Sequence, residues 1–375
     1  MQTQMDDTKP SSQSPELLPA AERLPHKPRG IAEVHCSPSP SLGPLLEKLG
    51  LSVLVTSPHS GNLIVLGSRE RKPIISFHTF ERAMGVAVTP DIVSVCTHTE
   101  VWFLRSAPDI AAKLKPPGFY DACYLTRACH FTDDILGHEA VRVQGEVWLV
   151  NSLFSCLSAL HPKYSFAPRW RPSFITALAP EDRCHLNGVA LVNGRPVYVT
   201  AIAETDTPQG WRANKGASGC VIEVPGGKAI ARGLCMPHSP RVVGDKVYLL
   251  DSGTGRLVFI DLPSGKLETV ATLDGFTRGL AIVGSLAFVG LSRIRSTSDM
   301  SGLPIAAHPE KLRCGIAVVD LSSGATVADL EIGSPIDELF DIQFLHGVHC
   351  PYLSGPYAVH EQRPQLWTVP PPGSR

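Results

Sequence analysis

One short pattern recurs along the chain and constrains its fold more than any other feature. It consists of a polar residue, a short apolar strand, a glycine-containing turn and a second strand carrying an aromatic. It reads HEAVRVQGEVWLVNS from His138, NGVALVNGRPVYVTA from Asn187, HSPRVVGDKVYLLDS from His238 and RGLAIVGSLAFVGLS from Arg278. The leading residue stands ten positions before Trp148, Tyr248 and Phe288, and eleven before Tyr198, where the turn is one residue longer. Two further strand-like runs follow each pair. The clearest set is SPRVV, KVYLLDS, RLVFIDL and KLETVATL, with Ser252–Gly255 and Pro263–Gly265 as turns. Starting points at 138, 187, 238 and 278 lie 49, 51 and 40 residues apart. Four short strands at that period predict a β-propeller blade.

An earlier segment, MGVAVTPDIVSVCTHTEVWFLRSA from Met84, supplies a fifth blade with its own inner strand. The run LSVLVTSPHSGNLIVLG (51–67) aligns with KVYLLDSGTGRLVFIDL (246–262), so it reads as strands two and three of a blade, with PIISF (73–77) as the fourth. Strand one is missing there. Residues 338–346, ELFDIQFLH, form one inner-strand-like run with no partners of its own. The expectation is an all-β, six-bladed propeller whose first blade is completed by this C-terminal strand, which removes the exposed sheet edges. Five or seven blades also fit the spacing. No apolar i, i+3, i+4 pattern extends over a long helix.

Composition agrees with this reading. In 375 residues there are 32 glycines and 33 prolines, charged residues are 18 % and hydrophobic residues 43 %, which excludes a largely disordered chain. With 34 basic and 35 acidic residues there is no net basic footprint, so no nucleic-acid partner is expected. No apolar run approaches a membrane span, and no membrane partner is expected. Residues 1–30 lack an export-type apolar core. The ten cysteines include no C-x-x-C pair, which predicts reduced, mostly buried thiols and a cytoplasmic protein. The expected organisation is a disordered or loosely docked leader at 1–44, one propeller domain at 45–350 and a tail at 351–375.

Inner strands of a propeller open on one face, close to the axis. That geometry is expected to bring Arg82, His138, His185, Asn187, His238, Arg278 and Asp341 towards one mouth. Two long loops, 204–219 and 292–313, open on the same face and carry Trp211, Arg212, Lys215, Arg293 and Arg295. Imidazoles from separate rigid strands can hold a transition metal (Fe, Zn or Cu). His138, His185 and His238 are therefore candidate ligands, with Glu139 as a fourth ligand or an outer partner. Ordinary turn capping by each histidine also fits. Arg278, Arg293, Arg295 and Arg212, with Trp211 and Asn187, are candidate contacts to an anionic or peptide-like ligand. No Walker, G-x-S-x-G or H-E-x-x-H motif is present.

The segments at 170–190, 205–227, 236–241, 251–257, 275–281, 287–295 and 312–321 together resemble an uncharacterised, largely bacterial propeller-like family. That family is known only as a domain of unknown function, and the resemblance spans roughly residues 45–360. It implies a single propeller-like domain and supplies no reaction. In one place the chain departs from the family: a compact D-x-H-E is replaced by Asp134-ILG-His138-Glu139. The expected function is a metal-dependent enzyme acting at the axial mouth on a polar or anionic small molecule or peptide. A non-catalytic binding propeller and a Ca²⁺-dependent lactonase-like hydrolase are the alternatives; the second is weakened by the histidine-rich mouth, since calcium prefers oxygen ligands.

Overall fold

In the computed structural model the described residues are 34–294, 300, 302–358, 361, 363–364 and 366–370. Arg295 lies outside them, as do residues 1–33 of the expected leader.

Runs rich in valine, leucine and isoleucine form short antiparallel strands joined by tight turns. Between Leu186–Val192 and Arg195–Ala201 the turn residues Asn193 and Gly194 have φ of 50° and 70°. Both are positive, as the twist-matched hairpin turn requires. Hairpins of this kind build six sheets. Blade 2 is built on Val86–Thr89, blade 3 on Gly137–Val143, blade 4 on Leu186–Val192, blade 5 on Pro237–Val243 and blade 6 on Phe276–Val283 as inner strands. In blade 1 the inner strand is Ile342–His346, paired with Leu51–Ser57 so that Val55 faces Ile342. The inner strands contact one another in cyclic order, and the ring closes between blades 6 and 1. The fold is therefore a six-bladed β-propeller, closed by a C-terminal strand in the first blade.

Each blade buries both faces against its neighbours. Val189, Val199 and Ile222 of blade 4 pack on Val150 and Leu157 of blade 3. Leu250 and Leu257 of blade 5 pack on Leu280 and Val289 of blade 6. Each such side chain contributes about 1.5–3 kcal/mol on full burial. Two-sided burial also explains why charged residues are sparse.

The domain boundaries read from sequence need correction at both ends. Cys36–Pro38 pairs with Thr326–Ile332 as an added outer strand of blade 6. The helix Leu42–Leu49 buries Leu42 and Leu46 one turn apart in the same core as blades 1 and 6. Residues 34–44 are thus part of the propeller and not of a loose leader. Beyond residue 350, Pro351–Ser354 joins Ala122–Phe131 in parallel as a fifth strand of blade 2. These additions are three and four residues long, too short to carry a periodic signal. Among the described residues no helix is long and apolar enough to cross a membrane.

Candidate functional site

Two blades present a histidine at the axial mouth by the same local device. In blade 3, Leu136 has φ of 47°, and in blade 5, Met236 has φ of 53°, both left-handed and unfavourable for a side chain. Each turn directs its carbonyl at the histidine two residues on. His138 Nδ1 lies 2.9 Å from Leu136 O, and His238 Nδ1 lies 2.9 Å from Met236 O. Fourteen residues further, at the end of the second strand, a serine completes the cradle. Ser152 Oγ is 2.7 Å from His138 Nδ1 and Ser252 Oγ is 2.9 Å from His238 Nδ1. The carbonyl can only accept, so Nδ1 carries the proton, and Nε2 keeps its lone pair. Neither Nε2 has a hydrogen bond among the described residues.

Blade 4 uses a different arrangement. Nδ1 of His185 lies 2.9 and 3.0 Å from the two carboxylate oxygens of Asp182, in a turn where both residues have positive φ. Trp211 Nε1 donates to the same carboxylate at 2.9 Å, and the Trp211 ring lies 4.4 Å from the His185 ring. Asp182 is thus buried between two donors, with its charge directed at the imidazole. His185 and His138 meet edge to face at 4.8 Å. His185 keeps 14 % of its side chain exposed, whereas His138 and His238 are 5 % and 3 % exposed.

Arg278 brings a positive charge to this group. Its guanidinium sits 3.8 Å over the Phe340 ring and 3.4 Å from Glu338, and Phe340 in turn packs 5.3 Å from His138. Burial first, and then the His185 and Arg278 charges, hold the His138 imidazole well below its ordinary value. Burial and Arg278 do the same to His238. Both rings are neutral at neutral pH. The mouth therefore combines lone-pair acceptors, one histidine–carboxylate dyad and one cation on an aromatic platform.

The same inner strands also carry an ion cluster. Three residues beyond His238, Arg241 donates to Glu139 at 3.2 and 3.3 Å and lies 3.9 Å from Asp341. Glu139 also accepts the Val189 N–H at 2.9 Å, and Asp341 accepts the Val86 N–H at 2.8 Å. Burial, with the Glu139 charge beside it, pushes the Asp341 carboxyl up to about 7 against the pull of Arg241.

Several site residues expected from sequence lie elsewhere. Glu139 is committed to Arg241 and Val189, because neighbouring residues on a strand face opposite sides and His138 takes the mouth. It is neither an outer partner of His138 nor placed as a ligand. Asp341 belongs to the same cluster, below the mouth. Asn187 is buried within its blade, its carbonyl accepting the Thr200 hydroxyl at 2.6 Å. Arg293 is bound to Asp337 at 2.8 Å and to the Ile332 carbonyl at 3.1 Å, a tether on the segment entering blade 1. Arg212 stacks on Trp211 at 4.4 Å and is an exposed neighbour of the dyad. Among the described residues no group of three or more His, Cys, Asp or Glu side chains is placed to hold a metal ion. The Fe, Zn or Cu site expected of His138, His185, His238 and Glu139 is thus not an assembled ligand set.

Sequence reasoning brought together His138, His185, His238, Arg278 and Trp211. It missed Asp182, Ser152, Ser252, Phe340 and Arg241. Two of these carry a readable signal: a serine follows each of His138 and His238 after fourteen residues, and Asp182 precedes His185 by three.

A family model described as a domain of unknown function, DUF4915, matches residues 40–353. No curated protein matches the chain. Among solved structures, a chain of the crystal structure of the nidogen/laminin complex aligns over 79 % of this chain and 99 % of its own, with a TM-score of 0.47 and 8 % identity.

Proposed function

The chain belongs to the DUF4915 family of domains of unknown function, and on that premise we propose that its axial mouth is an acid–base site for a small, anionic, hydroxyl-bearing molecule. The observation that carries this reading is the Asp182–His185 dyad held by Trp211. His185 Nε2 takes a proton from the ligand, and the Nδ1–H donated to Asp182 stabilises the imidazolium that forms. Arg278 faces the negative charge left on the ligand, and Glu338 is its resting counter-ion. His138 and His238, neutral and fixed in one tautomer, accept hydrogen bonds from ligand hydroxyls through Nε2. Asp182, Ser152 and Ser252 are positioning residues. The ten free cysteines support a reducing, cytoplasmic setting.

The test follows solvent deuterium exchange into a panel of α-hydroxy and α-keto carboxylates by proton NMR. Exchange with one member is expected, falling about 10²–10⁴-fold in His185→Ala. Saturable binding without exchange, lost in Arg278→Gln, would favour the non-catalytic ligand-binding alternative. Neither exchange nor binding across the panel would reject the mouth as a carboxylate site. A metal-loaded form is a second reading, because all three anchored Nδ1 protons leave Nε2 free to ligate. Stoichiometric Fe, Zn or Cu in untagged protein, lost in both His185→Ala and His238→Ala, would support it.

A further inference from the structure

The rim of the mouth has a further member in blade 2. In blades 2 to 6 the inner hairpin closes at Thr89, Val143, Val192, Val243 and Val283. Seven residues before these stand Arg82, Leu136, His185, Met236 and Phe276. The first four share nearly one left-handed conformation, with φ of 50°, 47°, 50° and 53°. They are the same point of the fold in successive blades. In blades 3 to 6 that point borders the mouth. The Leu136 carbonyl meets His138 Nδ1, the His185 ring meets the His138 ring, and the Phe276 ring lies 5.9 Å from that of His238. Met236 packs with Phe276 and Trp211. In blade 2 the same point is an arginine.

Arg82 is half-buried, yet it makes no hydrogen bond, ion pair or ring contact with any described residue. Arg278, Arg293 and Arg212 differ in this respect. Arg278 lies 3.4 Å from Glu338, Arg293 lies 2.8 Å from Asp337, and Arg212 stacks on the Trp211 ring at 4.4 Å. The chain neighbour of Arg82, Glu81, lies 3.9 Å from His98, which also holds Asp134 at 2.8 Å. A cation drawn part-way out of water gains when an anion joins it, through charge-assisted hydrogen bonds.

We propose that Arg82 binds a second anionic group of the mouth ligand, so that this ligand is a hydroxydicarboxylate. The assignment rests on the mouth being the acid–base site proposed above, and it narrows the ligand class. Arg82, His185 and Arg278 belong to blades 2, 4 and 6, alternate members of the ring. One carboxylate goes to Arg278 and the other to Arg82, with the hydroxyl between them presented to His185. Planar guanidinium forks suit carboxylates at both ends.

The experiment titrates malate and its 4-amide, nearly equal in size and differing by one charge, into the full-length protein. Calorimetry and ligand-observed NMR read saturable binding. Malate is expected to bind about 10- to 100-fold more tightly than the amide, the worth of hydrogen bonds to a charged group. Arg82→Gln is expected to remove that preference by weakening malate. Arg82→Met, which is also neutral and keeps an apolar stem, is the second variant should Arg82→Gln not fold. Malate binding no tighter than the amide would overturn the inference and leave the mouth reading standing. An unchanged preference in a folded neutral variant would do the same. No saturable binding of either probe would reject the carboxylate mouth itself, and the inference with it.

Discussion

Arg241 is the cation between two buried carboxylates on the propeller axis, and its removal tests the electrostatic account of the ring's centre. Breaking a buried ion pair by deleting one partner costs about 3–5 kcal/mol. Here the lower end applies. The Arg241 side chain is 20 % exposed, its bonds to Glu139 are 3.2 and 3.3 Å, and each carboxylate keeps a backbone N–H. Arg241→Met is therefore expected to cost about 3 kcal/mol at pH 8. The cost depends on pH in a defined sense. Asp341 has its folded pKa raised to about 7, above its unfolded value, so the fold binds the extra proton and stability falls as pH rises towards 7. Without Arg241 the Asp341 carboxyl rises further, so this loss extends to higher pH. The difference between variant and parent thus shrinks to about 1.6 kcal/mol at pH 5, where Asp341 is protonated in both, because one proton with a parent pKa of about 7 is worth at most about 1.4 kcal/mol between pH 8 and pH 5. Urea unfolding at pH 5, 6, 7 and 8, with m held common, measures it. Asp341→Asn in the Arg241→Met background is expected to recover about half the loss at pH 8. A cost that is equal at pH 5 and pH 8, or that stays below about 1 kcal/mol throughout, refutes the reasoning.

Two further outcomes follow from the packing and the buried imidazoles. His78, His138 and His238 have folded values below the ordinary one, so the unfolded chain binds more protons below about pH 6.5 and stability falls with pH from there. Asp341 opposes this over part of the range, and His238→Asn should make the acid limb shallower by about one proton; an unchanged slope by urea titration would count against a neutral His238. At Gly188 an added Cβ would lie 2.5 Å from Thr200 Oγ1, 2.6 Å from Pro240 Cδ and 2.9 Å from Ser239 N. Gly188→Ala should cost about 2–3 kcal/mol by forcing blades 4 and 5 apart, and a loss under about 0.5 kcal/mol would show that the inner strands are not in such close contact.

The ring was legible because its signal is local and repeated. Each hairpin carries its own turn and alternation, and the orphan pair at 51–67 requires an inner strand that only residues 338–346 could supply. The mouth was partly legible for the same reason: equivalent positions on inner strands converge whatever lies between them. What stayed hidden depends on contacts between blades. Arg241 sits mid-strand after a proline, and nothing in its spacing ties it to Glu139 of blade 3 or Asp341 of blade 1. Glu139 was misassigned beside His138 because the alternation of a strand outweighs adjacency in sequence. Asp182 escaped notice because its role arises from a turn in which both it and His185 take left-handed backbone angles.

The pairing of Leu51–Ser57 with Ile342–His346 also bears on how the protein comes into being. On a ribosome, blade 1 emerges first and cannot be completed until almost the whole chain has followed. During that interval the edge of Leu51–Ser57, a strand buried along its whole length in the finished ring, has no partner from its own blade. Such an edge is an invitation to pair with another chain. The inner four strands of each of the other five blades are contiguous in the chain and can settle as they appear, whereas the first must wait for Ile342–His346. A premature stop before residue 342 would therefore yield a nearly full-length product that never closes, and the cell would meet it as an aggregation hazard and not as a slightly weakened protein.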